Sequence, residues 1–195
     1  MKYRRIVFGL FLGLFLLMST SSLLWAGEPG DLIKGIILKD ISLEEGEGLD
    51  ERKQELWREI SQSLDFAEIA KRVMGKYWKE RSPQEKEEFV ELFVNNVKSA
   101  CMRIAGPRFG EGIVSLSEKA NKRYARVHIV LLKRTVEEVS ADFRLIKEDG
   151  KWQIYDLIYQ GVSLVHNYRS QIYNFLLKSS YEELVQELKK RQSKE

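Results

Sequence analysis

The sequence predicts an α+β fold in which helices wrap around a curved antiparallel sheet of about four strands. Three observations predict it. Apolar residues recur at helical spacing through a first part, at about residues 29–105. Strand-like alternation follows in a second part, at about 112–159. Helical spacing returns in a third part, at about 162–191, and such grouping of helices and strands into separate blocks is typical of α+β domains.

Four helices are predicted in the first part. One spans Pro29–Ile41 and a second runs from about Asp50 to Ser63, each with apolar residues three or four positions apart. The glycine- and acid-rich segment 42–48 between them is predicted to be a loop. Asp65 is expected to cap the third helix, which Gly75 ends. The segment 82–85 reads Ser-Pro-Gln-Glu, a capping box that starts the long fourth helix.

Four strands are predicted at 113–119, 124–133, 136–148 and 151–159, joined by short connections into an antiparallel meander. Helices over 162–177 and 181–191 follow the sheet. Simple alternation on the fourth strand predicts two faces, with Tyr155, Leu157 and Tyr159 on one and Trp152, Ile154, Asp156 and Ile158 on the other.

The amino terminus has the features of an export signal. Three basic residues precede a short apolar run, Ile6 to Met18, and small polar residues follow it. That run is shorter than the roughly 20 residues that span a bilayer. We therefore predict a signal peptide over residues 1–26, cleaved near Ala26, and one domain over 27–195 in the periplasm. An uncleaved amino-terminal anchor is the alternative.

The charge balance argues against nucleic acid as a partner. The chain has 32 basic and 29 acidic residues, which gives a formal net charge of +3. Three of the basic residues and no acidic residue lie in the first 26, so the rest of the chain is close to neutral. A neutral domain has no general electrostatic attraction for phosphate backbones or anionic membrane surfaces.

The strand pattern leaves the interior open to two interpretations. A sheet covered by helices can enclose a cavity, because alternate side chains all point to one face. The third strand places Val139, Ala141, Phe143 and Leu145 on one face, and both faces of the fourth strand are largely apolar. The pattern indicates either an ordinary packed core, which it favours, or a core on one side and a ligand on the other.

Residues for catalysis or metal binding are scarce. His128 and His166 are the only histidines and lack the spacing of metal ligands. No nucleophile or phosphate-binding motif occurs. Asp156, among apolar neighbours, is either an acid or base of an enzyme or, as we favour, a carboxylate bonded to backbone amides or an arginine. We predict no enzyme, no catalytic residue, no metal and no cofactor.

Two segments resemble the MlaC-type toluene-tolerance family. From Gly150 to Gln171 the chain carries a Gly-x-Trp-x-aliphatic-Tyr-Asp-aliphatic pattern, then Gly-Val-Ser-Leu, then Asn-Tyr-Arg. From Asp65 to Trp78 it carries Asp-Phe-x-x-Ile-Ala-x-x-Val-Met-Gly-x-Tyr-Trp. The export signal, the chain length and the order of elements agree with that family as well. The resemblance therefore spans essentially the whole chain after the signal.

The resemblance implies an NTF2-like or MlaC-like fold with an apolar lipid cavity. It implies a periplasmic phospholipid carrier of an Mla-type transport system, with phospholipid as cargo. Its expected partners are an outer-membrane lipoprotein–porin complex and an inner-membrane ABC transporter complex with an MCE-domain subunit. The alternatives are an enzyme on an NTF2-like cone fold that uses Asp156, a docking or scaffold protein with a filled core, and a hopanoid-linked carrier of the same family.

We expect the lipid to contact the fourth helix, the third and fourth strands and the helix after the sheet. Arg169 is expected near the mouth or at the turn 161–163, and a structural ion pair is an equal alternative for it. Ser163 is expected to cap its helix. The predicted lipid-binding residues are Phe93, Val97, Phe143, Leu145, Tyr155, Leu157, Tyr159, Val165, Tyr168 and Arg169.

Overall fold

The computed structural model describes residues 28–42, 47–104, 112–132, 135 and 137–192, with the backbone alone for 100–104 and 192. The predicted signal peptide and its cleavage site lie outside these residues. So do residues 43–46 of the predicted loop, and Lys133 and Val136 at the ends of two predicted strands. Among the helices within the described ranges, none combines the length and the apolar character needed to cross a bilayer.

The described residues form six α-helices, and their starts follow from capping. Asp65 accepts a hydrogen bond from the backbone N–H of Glu68 at 2.8 Å, as the sequence predicts. The capping box is also present, since Ser82 N–H donates to the Glu85 carboxylate at 2.7 Å and Glu85 N–H to Ser82 Oγ at 3.2 Å. The helices are α1 (Pro29–Ile41), α2 (Leu49–Ser61), α3 (Phe66–Met74), α4 (Pro83–Ile104), α5 (Leu164–Leu176) and α6 (Tyr181–Gln192), with a 3₁₀ helix at Gly75–Glu80.

The strands form one curved antiparallel sheet with the order β1-β2-β3-β4-β5, which confirms the predicted α+β fold. The fifth strand was not predicted: residues 162 and 163 pair with the end of β4, so the helix predicted from 162 begins at Leu164 instead. Ser163 caps that helix by accepting a hydrogen bond from His166 N–H at 3.0 Å. The strands are β1 (Gly112–Ala120), β2 (Tyr124–Leu132), β3 (Glu138–Glu148), β4 (Lys151–Tyr159) and β5 (Val162–Ser163).

A β-bulge corrects the predicted faces of β4. Arg144 pairs with Asp156, but the next residue of β3, Leu145, pairs with Ile154, so Tyr155 is an extra residue without a partner on β3. The extra residue reverses the alternation at that point. Ile154 therefore lies on the same side as Leu157, and the prediction that these two residues occupy opposite faces was wrong.

Two hydrophobic cores lie on different sides of the domain. The helical core is built by α2 to α6, with Phe89, Phe93 and Met74 almost fully buried. The sheet core is built by residues of α1, β2, β3 and β4, and α1 packs on β1 and β2, with Ile33, Ile129 and Leu145 fully buried. Apolar residues of both cores are withdrawn from water, which is the main stabilising term of the fold.

Candidate functional site

A cavity lies where the helical core and the sheet core meet. Its volume is about 170 Å³. Three members of the helical core line it, and so do five members of the sheet core. The lining residues are Ile36, Ile37, Asp40, Leu56, Trp57, Ile60, Leu64, Ile69, Val97, Leu131, Ala141, Phe143, Ile154, Asp156, Leu157, Tyr159 and Leu164.

The wall of the cavity is almost entirely apolar. β2, β3 and β4 form one side through their inward-facing residues, and α1 and α2 form the facing side. The acidic residues in the wall are Asp40, half-buried near the end of α1, and the buried Asp156. Such a wall suits hydrocarbon, because a polar ligand would lose its hydrogen bonds to water without replacing them.

Four of the predicted lipid-binding residues line this cavity together. They are Val97 on α4, Phe143 on β3, and Leu157 and Tyr159 on β4. Phe143 and Leu157 are direct cross-strand partners, so the pleat places both side chains on the same face.

Three other residues on the predicted list, two on strands and one on α5, lie elsewhere. Leu145 is fully buried in the sheet core, beyond the cavity wall. The bulge turns Tyr155 to the opposite side of β4, where the guanidinium of Arg72 lies 4.1 Å from its ring. Val165 belongs to the helical core, and its backbone N–H donates to Asp156 at 3.1 Å. Their predicted contact with lipid stays a prediction.

Two further predicted residues line a different cavity. Phe93 and Tyr168 pack edge to face with their ring centroids 5.0 Å apart, beside a second cavity of about 50 Å³ between α4, α5 and α6. Arg169 is not among the residues that line these two cavities, and its predicted place near the mouth or the turn 161–163 stays a prediction. Its guanidinium packs on Gly75, where a β-carbon would stand 3.1 Å from Nε.

Asp156 has the surroundings that we favoured for it. Its carboxylate accepts hydrogen bonds from Ser163 Oγ at 2.8 Å and from Val165 N–H, and it pairs with Arg144 at 3.3 Å. These bonds connect β3, β4 and the first turn of α5. A buried carboxylate satisfied in this way is a structural group that fixes α5 against the sheet.

Another titratable cluster lies on the sheet surface. Asp142 accepts a hydrogen bond from Arg126 at 3.0 Å and lies 2.9 Å from Nδ1 of His128. The Arg126 guanidinium holds the pKa of the Asp142 carboxyl below its ordinary value of 3.8. Within the described residues, no group of three or more His, Cys, Asp or Glu side chains is placed to hold a metal ion.

Sequence reasoning missed the wall formed by α1 and α2. The signal in α1 was visible, since Ile36 and Ile37 belong to its apolar face. In α2, Leu56, Trp57 and Ile60 form an apolar group in a mostly polar helix. Neither pattern says which other element the apolar face will contact, so the sequence does not predict that these helices line a cavity.

Comparisons with known proteins agree with this architecture. The family model described as "MlaC protein" matches residues 36–190. A phospholipid-binding protein from Ralstonia solanacearum, solved in complex with a phospholipid, superposes with a TM-score of 0.72 at 19% identity, covering 86% of this chain and 98% of that one. At that identity, the likeness shows a common fold.

A second solved structure, from Campylobacter jejuni and provisionally described as an NTF2-like transpeptidase, covers 66% of this chain and 97% of its own at 20% identity. Its TM-score of 0.38 is too low to carry an argument. A search of curated proteins found no match. The family model covers most of the chain and agrees with the predicted resemblance, so the chain belongs to the MlaC family.

Proposed function

We propose that this protein is a periplasmic phospholipid carrier of an Mla-type transport system and that it performs no catalysis. The carrier takes up phospholipid at one membrane and delivers it at the other. Its proposed partners are an outer-membrane lipoprotein–porin complex and an inner-membrane ABC transporter complex with an MCE-domain subunit. Family membership supports this proposal, and so does the phospholipid bound to the Ralstonia solanacearum protein of the same fold.

The observation that carries the proposal is the apolar cavity between the two cores. Both cores are tightly buried, yet their facing surfaces leave a space lined by residues such as Trp57, Val97 and Phe143. Interiors of proteins are normally packed as densely as organic crystals, so an unfilled apolar space is informative. Acyl chains are the cargo that its chemistry fits.

Free-energy magnitudes explain why a carrier needs such a space. Each methylene group withdrawn from water gains about 0.8 kcal/mol. Two acyl chains with roughly 30 methylenes in total would therefore cost on the order of 20 kcal/mol to expose. A bilayer and an apolar cavity shelter the chains about equally, so the partner complexes must set the direction of transport.

Native mass spectrometry tests the proposal. The full chain is expressed with its own amino terminus in a Gram-negative host, purified gently from the periplasmic fraction, and measured intact. We expect a chain that begins near Gly27 and carries a bound species of phospholipid mass. Protein that purifies with no bound lipid contradicts the proposal. Lipid extraction from the same sample identifies a hopanoid-linked cargo if phospholipid is not the species retained.

The role of the partners needs a separate measurement. Donor vesicles with a fluorescent phospholipid are mixed with acceptor vesicles and the purified protein. We expect slow transfer in both directions, and faster, directional transfer when the MCE-domain subunit is displayed on the acceptor vesicles. Equal rates with and without that subunit would contradict the proposed partner.

Asp156→Asn separates the carrier from the alternative enzyme. The hydrogen bonds to Ser163 and Val165 N–H occupy the carboxylate and support a structural role. We expect folded Asp156→Asn protein to retain phospholipid in the same amount per folded molecule as the natural protein. Turnover of a retained lipid by the natural protein, lost in this variant, would favour the enzyme.

A further inference from the structure

The cavity between the two cores is called the main cavity below. One layer of side chains separates it from the second cavity. Along α4, Val97 lines the main cavity, and Phe93, one helical turn earlier, lines the second. Along α5, Leu164 lines the main cavity, and Tyr168, one turn later, lines the second. The same two helices therefore border both cavities, and the Phe93–Tyr168 ring pair lies between the two cavities.

The inner wall of the second cavity is apolar and its rim is polar. Phe93, Tyr168, Ile172, Phe175, Leu184 and Leu188 form the apolar wall. At the rim, Arg191 Nε donates to Glu187 at 3.2 Å, and Asn96 and Gln171 are the other polar residues of the lining. An apolar wall of this kind suits the end of a hydrocarbon chain.

The main cavity is small for a lipid with two chains. Its volume of about 170 Å³ lies below the roughly 300–1,000 Å³ that is usual for pockets that enclose a ligand. Additional apolar space must therefore come from its borders. The second cavity is an apolar space on the helical side that borders the same two helices, and the edge-to-face contact of two rings is weak compared with the burial of several methylene groups.

We propose that the second cavity is a separate branch for an acyl chain, which Phe93 and Tyr168 divide from the main cavity and which opens when the two rings turn apart. One chain of a two-chain phospholipid lies in the main cavity, and the end of the other passes between α4 and α5 towards α6. This inference rests on the proposed function, because it assigns a place to a chain of the proposed cargo.

Photo-crosslinking tests the branch directly. The probe is a phosphatidylethanolamine with one palmitoyl chain and one chain that ends in a diazirine, delivered to the full-length protein from vesicles. After illumination, adducts are located by peptide mass spectrometry. We expect adducts on α6 near Leu184 and Leu188, as well as adducts at the main cavity.

A plugging variant makes the assignment specific. Ile172→Phe enlarges a buried side chain in the wall of the second cavity, and should remove the α6 adducts while keeping those at the main cavity. Ile146→Phe is the matched control, since Ile146 is equally buried and lines neither cavity. It should keep both sets of adducts. Melting temperatures identify a variant that has unfolded. In that case the presence or absence of α6 adducts in the natural protein decides whether the branch exists.

The outcomes separate the branch from the proposed function. Adducts confined to the main cavity in the natural protein overturn the branch and leave the carrier function standing. α6 adducts that persist in folded Ile172→Phe also overturn the branch. A probe that lacks the diazirine gives the background signal. If the diazirine probe gives no adducts above that background at any position, the carrier function and the branch are both contradicted.

Discussion

Replacing Ala141 by phenylalanine fills the main cavity from the sheet side. Ala141 is 5% exposed and has the smallest side chain in the cavity wall. An apolar cavity of about 150 Å³ takes up one benzene molecule, so a space of about 170 Å³ accommodates the added ring. Because the ring enters empty apolar space, we expect the free energy of unfolding to stay the same or rise.

The effect on lipid binding should be large. A phenyl ring occupies the room of about five methylene groups, and at about 0.8 kcal/mol each their exclusion costs about 4 kcal/mol of binding free energy. That corresponds to a roughly thousandfold higher dissociation constant. Native mass spectrometry of the purified variant should therefore show protein without lipid, and a vesicle-based binding assay should give the change in affinity.

Ala125 provides the matched control. It is also 5% exposed and lies in the sheet core, on β2, but it does not line the cavity. Phenylalanine at this position has no space to enter, so Ala125→Phe should destabilise the fold by about 1–3 kcal/mol. Its folded fraction should still retain lipid. If Ala141→Phe retained lipid as well as the natural protein does, the main cavity would not be the lipid site.

Three other substitutions test what holds the framework together. Gly75→Ala should lower the free energy of unfolding by about 1–3 kcal/mol, because φ is 57° and a β-carbon would press on the Arg169 guanidinium. Ser163→Ala removes both the cap of α5 and a hydrogen bond to a buried carboxylate, and should cost about 1–3 kcal/mol in urea unfolding. Asp142→Asn should reduce the loss of stability in acid. The folded-state pKa of this carboxyl is lowered, so its stabilising contribution is present above its ordinary pKa of 3.8 and is lost as the pH falls below it.

Each of these substitutions has a control and a result that would contradict it. Gly35→Ala, at a helical position with open space around it, should stabilise the protein by about 0.5–1 kcal/mol. A similar gain from Gly75→Ala would refute the strain argument. Ser170→Ala, exposed on the same helix as the cap, should be close to neutral. An equal effect at both serines would refute the capping role. An unchanged acid profile in Asp142→Asn would show that this carboxyl does not contribute to acid unfolding.

Most helix starts could be predicted because they depend on neighbouring residues. The cap at Asp65 and the reciprocal bonds of Ser82 and Glu85 involve residues three positions apart, so a local motif contains the whole interaction. α1 is likewise observed at the predicted bounds. Local chemistry of this kind does not require knowledge of the tertiary fold.

The faces of β4 could not be predicted, because they depend on a neighbouring strand. Alternation assumes that each residue of β4 has one partner on β3, and the bulge at Tyr155 breaks that assumption. The neighbouring residue Ile154 bonds on its other edge to the chain between α2 and α3, with its N–H donating to Ser63 at 2.7 Å. That contact comes from a segment about ninety residues away in the sequence, and no residue pattern within the strand predicts it.

The spacing of apolar residues alone also does not predict the cavity. Val97 and Phe143 were predicted to contact lipid and line the main cavity, whereas Leu145, an equally apolar residue on the same face of β3, is packed in the sheet core. Apolar spacing says which side chains turn inward. It does not say whether the opposite layer reaches them, and that difference decides between a filled core and a cavity.

A carrier must exist without cargo between deliveries, and this limits the volume of empty apolar space that its fold can tolerate. An empty apolar cavity costs about 24 cal/mol per Å³, so about 170 Å³ costs about 4 kcal/mol. An empty space of about 1,000 Å³ would cost on the order of 24 kcal/mol, which exceeds the roughly 5–15 kcal/mol that keeps a domain folded. The walls of a carrier must therefore close in when the lipid leaves and part when it enters. On this reasoning, bound lipid raises the melting temperature of the natural protein but not that of Ala141→Phe, in which the ring already occupies the space.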